Sequence, residues 1–214
     1  MSINATVLAC IVAPFTGDNS ATVVSLSAPG DALLSLGTST TFLLSIPASR
    51  TPPKRMTTSH LLSHPTDPDG KIVMLCYKNG ALARERVRDR FADGDWKVYD
   101  SLVEQYPPGC NGYTGFYFPL PEIIPPGVIG EYFFATDQSS KTPLPVKDIP
   151  ASVHPRAIIE SQLLSIRSRI VAILPKNSPP LNRLVITGGS SANETLRQMI
   201  AVRCVIDPDL IVGH

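Results

Sequence analysis

The chain has 214 residues, 43% of them hydrophobic and 17% charged, a balance typical of one globular domain or slightly more. Nineteen basic residues against eighteen acidic ones leave a formal charge of +1, so we expect neither nucleic acid nor a membrane as a partner. The four cysteines form no C-x-x-C pair, and no apolar run approaches the length of a membrane span. The composition therefore predicts a cytoplasmic protein with no metal site built from its own side chains.

The first half of the chain is predicted to be rich in strands. Ala5 to Val12 is apolar and predicts a buried strand, and Ala21 to Leu26 predicts a short helix. Two apolar runs between Ala32 and Ile46 flank Gly37-Thr38-Ser39-Thr40, which is the pattern of two strands joined by a tight hairpin. Lys71 to Tyr77 predicts a further strand, and Lys78 to Phe91 predicts a helix with a strongly charged outer face.

The second half of the chain alternates loops and helices in this interpretation. Trp96 to Gln105 has apolar residues spaced three and four apart and predicts a helix, whereas prolines and glycines predict long loops through most of 107–155. Pro155 to Leu174 carries a helical apolar repeat and predicts a long amphipathic helix. A strand over Leu184–Thr187, a glycine turn and a helix over Asn193–Val202 complete the prediction.

Three segments have residues suited to binding phosphate or moving a proton. Gly188 and Gly189 follow a predicted strand, and paired glycines there let backbone amides approach a nucleotide, although an ordinary strand-to-helix turn explains them equally well. The hairpin at Gly37 and Thr38 offers amides and hydroxyls to phosphate oxygens, but many such turns only join two strands. Asp18 has the position of a general base at the end of a strand, or of a helix cap.

The order of these segments resembles the FGGY family of carbohydrate kinases. Gly17-Asp18-Asn19, Leu34 to Ser39 and Thr187 to Asn193 are similar to three motifs of the second domain of that family. Asn111 to Phe118 further resembles eukaryotic xylulose kinases, those of fungi in particular. The likeness covers about 11–200, whereas residues 202–214 do not resemble the continuation expected in the family.

The resemblance implies an α/β fold of the ribonuclease-H-like ATPase type, the C-terminal half of a two-domain kinase. It implies that Asp18 is the catalytic base and that Asn19 also contacts the sugar. It further implies that the hairpin, with Gly37 and Thr38, lies beside the transferred phosphate of ATP and its Mg²⁺. The adenosine would contact the residues Gly188, Gly189, Asn193 and Trp96. A tryptophan buried in the core of an amphipathic helix is the alternative for Trp96.

The activity implied is ATP-dependent phosphorylation of D-xylulose. The N-terminal domain of the family is not represented in the chain, so an inactive nucleotide-binding fragment and a kinase for another sugar or polyol remain alternatives. An unrelated interaction module would require the three ordered motifs to be a coincidence. Because the tail differs from the family, we expect an uncovered sheet edge beside Leu184–Thr187 and an exposed apolar face around Met199.

Overall fold

The computed structural model describes residues 16–46, 54, 56–137, 139, 141–174, 181–203 and 211–213, with only the backbone described for 202, 203 and 211–213. The strand predicted over 5–12 lies outside the described residues. Fourteen helices and strands are described in chain order: α1 (Asp18–Leu26), β1 (Ala32–Leu36), β2 (Thr40–Ile46), β3 (His60–Ser63), β4 (Lys71–Tyr77), α2 (Gly80–Phe91), α3 (Trp96–Glu104), β5 (Tyr113–Phe118), β6 (Gly130–Thr136), β7 (Pro143–Val146), α4 (His154–Ile173), β8 (Leu184–Thr187), α5 (Glu194–Arg203) and β9 (Ile211–Gly213).

A six-stranded mixed sheet forms the centre of the fold, in the order β3-β4-β2-β1-β8-β9. The strands β1, β2, β4 and β3 pair antiparallel, and β8 and β9 continue the sheet in parallel beside β1. The α/β class and the hairpin of β1 and β2 are thus as predicted from the sequence.

Helices cover both faces of this sheet because alternate strand residues point to opposite sides. Leu33, Leu43 and Ile72 pack with Val23 of α1 on one face. The neighbouring strand residues, including Leu34, belong to the main core on the other face, together with residues of α2, α3, α4 and α5. The sheet is therefore the middle layer between α1 and the other four helices.

A second, three-stranded antiparallel sheet is formed by β5, β6 and β7. The prediction of loops through most of 107–155 did not include these three strands. Gly115 interrupts the aromatic pattern of β5, and Pro143 and Pro145 lie in β7, which is an edge strand and therefore tolerates proline. These residues masked the strand pattern in the sequence.

The prediction of an uncovered sheet edge beside Leu184–Thr187 and an exposed apolar face around Met199 was wrong. The backbone of β9 pairs in parallel with Leu184, Val185 and Ile186 of β8, so that edge of the sheet is covered. Met199 of α5 is buried in the main core, because α5 packs against α4.

Candidate nucleotide-binding site

The hairpin between β1 and β2 is one part of the candidate site. Gly37 is half-buried and Thr38 is exposed at its tip. The carbonyl oxygen of Thr38 accepts a hydrogen bond of 3.4 Å from the backbone N–H of Ala81, in the first turn of α2. Gly80 lies so close to Thr40 that a Cβ atom at this position would collide with the threonine side chain. The hairpin therefore packs directly on the start of α2.

The glycine turn after β8 lies against this hairpin. Gly188 has a φ of +94°, and a Cβ added to it would lie 2.7 Å from the carbonyl carbon of Leu36 and 2.9 Å from the backbone nitrogen of Gly37. Only glycine allows this approach. Since β1 and β8 are parallel neighbours, both turns lie at the carboxyl ends of their strands, the edge where α/β sheets usually bind ligands.

Gly189 differs from Gly188 in its surroundings. Both glycines are exposed, but no atom lies within 4 Å of the position that the Cβ of Gly189 would occupy. Gly189 begins a short 3₁₀ turn, Gly189–Ala192, that leads into α5. The backbone of Gly189 is therefore accessible to a ligand, whereas Gly188 is required by packing.

Asn193 joins this turn to α3. Its Oδ1 accepts a hydrogen bond of 2.7 Å from the N–H of Leu196, which caps α5. Its Nδ2 donates to both carboxylate oxygens of Asp100, at 2.8 and 3.0 Å. Burial raises the pKa of Asp100 above its ordinary value, and the hydrogen bond from Asn193 opposes this rise. Asn193 thus holds the turn to α3, and its partner Asp100 was not predicted from the sequence.

Trp96 begins α3, one helical turn before Asp100 and on the same helix face. The alternative of a core tryptophan was wrong, because Trp96 is 40% exposed while Tyr99 fills the core. The guanidinium carbon of Arg88 lies 4.6 Å from the centre of the Trp96 ring, a cation–π contact. One face of the indole is therefore covered by Arg88.

A stripe of residues along α2 connects Trp96 to the hairpin. Gly80, Arg84 and Arg88 are spaced four residues apart and share one helix face. The predicted charged outer face of α2 is present, but Arg84 is not part of it and is only 4% exposed. It donates from Nη1 to Gln162 at 2.7 Å, but its Nη2 has no hydrogen-bond partner in the part of the chain that the structure describes. Burial lowers the pKa of this guanidinium.

These contacts form a closed series, which we call the nucleotide ring. The hairpin contacts the turn at Gly188, and the hydrogen bond from Asn193 to Asp100 joins that turn to α3. The contact between Trp96 and Arg88 joins α3 to α2, and the start of α2 contacts the hairpin again. The ring contains exposed backbone at Thr38 and Gly189, the aromatic surface of Trp96 and a buried cation, Arg84. These are groups that suit a phosphorylated aromatic ligand.

Asp18 and Asn19 lie apart from the ring. Gly17 occupies the N-cap position of α1, so Asp18 is not the cap but the first residue of the helix. Its exposed carboxylate accepts a hydrogen bond of 2.8 Å from the N–H of Asn19. Within the described ranges, no hydrogen bond or ion pair joins Asp18 to the ring, and α1 lies on the opposite face of the sheet from α2 to α5. The carboxylate is open to solvent and to a substrate.

Metal-ligating side chains do not gather in groups of three or more His, Cys, Asp or Glu anywhere in the described residues. Among the helices that the structure describes, none is long and apolar enough to span a bilayer.

The chain belongs to the FGGY family of carbohydrate kinases. The family's C-terminal domain matches residues 32–207, which include the nucleotide ring. The chain is 39% identical over 210 residues to "Probable D-xylulose kinase A" of Neosartorya fischeri, covering 89% of this chain and 36% of the relative. It is 40% identical over 203 residues to "Xylulose kinase 2" of Arabidopsis thaliana, covering 90% of this chain and 35% of the relative. The chain thus spans about 36% of the length of the fungal relative.

Solved structures show the same fold. A xylulose kinase from Bifidobacterium adolescentis superimposes with a TM-score of 0.70 at 24% identity, over 94% of this chain and 37% of that one. A glycerol kinase from Plasmodium falciparum, solved with ADP, superimposes with a TM-score of 0.63 at 11% identity, over 86% of this chain and 36% of that one. The sugar-kinase fold predicted from the sequence is confirmed.

Proposed function

We propose that this chain is the ATP-binding part of a kinase that phosphorylates D-xylulose to D-xylulose 5-phosphate. The observation that carries the proposal is the nucleotide ring, in which Gly37, Gly188, Asn193 and Trp96 come together from four separate segments. The names of the fungal and plant relatives support xylulose as the sugar.

ATP would bind with its adenosine between Trp96 and the exposed Gly189, and with its phosphates toward the hairpin. Backbone amides at Gly37 and Thr38 would hold the terminal phosphate while negative charge moves off it during transfer. Mg²⁺ would enter with ATP, because it prefers phosphate oxygens and keeps several of its water ligands.

Asp18 would accept the proton of the sugar hydroxyl that attacks the terminal phosphate, and Asn19 would contact the same sugar. Kinases of this type position both substrates between two domains that close on each other, which excludes water and aligns the reacting atoms. Asp18 and the hairpin belong to the same sheet layer, so closure would leave their separation unchanged and would instead carry the sugar, held by the other domain, to Asp18 and the terminal phosphate. A cytoplasmic location and a role in xylose metabolism accompany this proposal, because ATP and free pentoses meet there.

The test compares the chain alone with a fusion. The chain alone should bind ATP and show no xylulose-dependent ADP release, since the rest of the relatives' length is needed to hold the sugar. Joining the chain to the part of the Neosartorya fischeri relative that it does not cover should give ADP release with D-xylulose in a coupled assay. Glycerol and gluconate serve as competing substrates. A folded fusion that binds ATP but phosphorylates none of these three substrates would favour the alternative of an inactive nucleotide-binding fragment.

A further inference from the structure

A cavity of about 530 Å³ lies outside the nucleotide ring, between α4 and the β5–β6 hairpin. Its volume falls in the range of pockets that bind small molecules. One wall of the cavity is aromatic and comes from one face of this hairpin, with Phe116 and Phe118 from β5 and Tyr132 and Phe134 from β6. The rings of Phe116 and Phe134 meet edge to face at 6.1 Å. This wall can pack against a flat apolar molecule.

The opposite wall comes from α4, and nearly all its polar groups are already paired. Gln162 accepts from Arg84 and donates to the carbonyl oxygen of Gly80 at 3.0 Å. Ser165 pairs with the Tyr77 hydroxyl at 3.1 Å, and Ser161 donates to a carbonyl oxygen of its own helix. These groups leave little hydrogen-bonding capacity for a neutral polar ligand.

Arg169 is the exception on this wall. It lines the cavity and is the one charged residue among its described lining residues. In the described part of the chain it makes no hydrogen bond or ion pair, and its positive charge lies near the Tyr77 hydroxyl. The Glu122 carboxylate, which also lies near the Tyr77 hydroxyl, accepts hydrogen bonds from the backbone N–H groups of Lys78, Asn79 and Ile123 and makes no ion pair with Arg169. The cavity therefore has, opposite its aromatic wall, one positive charge that makes no ion pair in the described part of the chain.

We propose that this cavity binds a small organic anion with a flat apolar body, whose acidic group pairs with Arg169. A guanidinium donates two parallel hydrogen bonds to a carboxylate, sulfonate or phosphate, which fixes the orientation of such a ligand. The aromatic wall of the cavity covers the apolar body. This site is separate from the nucleotide ring and requires neither ATP nor the sugar.

Two fluorescent probes with nearly the same body test the proposal. 1-Anilinonaphthalene-8-sulfonate carries one sulfonate, and N-phenyl-1-naphthylamine lacks it. The sulfonate probe should bind the folded chain at one site, and Arg169→Met should weaken its binding about tenfold or more, because a charge-assisted pair is lost. Binding of the neutral probe should change less than twofold. The matched control is Arg167→Met, which removes the same charge from an exposed position of α4 that does not line the cavity.

Val128→Trp provides a second variant, because it fills the cavity from the side of the loop before β6 and should weaken both probes. Circular dichroism must show a cooperative melt for each variant. Equal weakening by Arg167→Met and Arg169→Met would overturn the proposal, since it would indicate attraction to net charge alone. Sulfonate-probe emission that rises as the chain melts would also overturn it, since the probe would then be binding unfolded protein.

Discussion

Replacement by alanine should have different effects at the two glycines after β8. Gly188→Ala should lower the stability of the fold, and Gly189→Ala should weaken ATP binding. In Gly188→Ala the new methyl would lie 2.7 Å from the Leu36 carbonyl carbon, at a φ of +94° that alanine adopts with strain. Backbone strain costs about 1–3 kcal/mol and overpacking costs about 1–3 kcal/mol more, so the free energy of unfolding should fall by about 2–6 kcal/mol. In Gly189→Ala the methyl meets no protein atom within 4 Å, so the free energy of unfolding should change by less than about 0.5 kcal/mol.

Thermal melts and ATP titration calorimetry measure the two effects. For a chain of this size each kcal/mol moves Tm by roughly 2–4 °C, so Gly188→Ala should lower Tm by about 4 °C or more. Gly189→Ala should keep Tm and weaken ATP binding about tenfold or more, because its methyl lies where the nucleotide approaches the backbone. A Gly189→Ala protein that keeps its ATP affinity would refute the assignment of this turn to adenosine. An unchanged Tm for Gly188→Ala would refute the packing argument.

Three further changes test other parts of the account. Asp18→Asn in the active fusion should lower turnover by roughly two to four orders of magnitude with ATP affinity nearly unchanged; near-normal turnover in the coupled assay would remove Asp18 as the base. Asp100→Ala leaves Asn193 Nδ2 without its partner and should raise the Kd for ATP severalfold, whereas Asp100→Asn, which keeps an acceptor oxygen, should change it less; calorimetry that shows equal Kd values for both variants would contradict this. Burial lowers the pKa of His154, so as pH falls below about 6.5 the unfolded chain takes up the proton first and the free energy of unfolding decreases. Urea unfolding between pH 7 and 5 should show a smaller loss of stability for His154→Gln than for the unchanged chain, and equal losses would show that His154 is not the cause.

The local elements near the ring were predictable because their patterns are regular. The apolar run of β4 and the glycine-separated runs of β1 and β2 have the expected bounds in the structure. The helical repeat of α4 and the strand, turn and helix around Gly188 were likewise predicted. Each of these signals lies within a short window of sequence, where the spacing of apolar residues determines the conformation.

The contacts that assemble the ring were not predictable in the same way. Asp100 and Asn193 are 93 residues apart, and nothing local distinguishes Asp100 from any other acidic residue of an exposed helix face. Arg84 was assigned to a charged outer face, because its burial depends on the long-range packing of α2 against α3 and α4. The four-residue spacing of Gly80, Arg84 and Arg88 was the one available signal.

The central claim is that the nucleotide ring binds ATP, and Trp96 offers the most direct measurement. It is the only tryptophan of the chain, so emission excited at a wavelength that tyrosine does not absorb reports on the ring alone. Titrating the folded chain with MgATP should change this emission saturably, with the same Kd that calorimetry gives for a single site. If calorimetry shows ATP binding while the emission of Trp96 stays constant, or if ATP does not bind at all, the claim is contradicted.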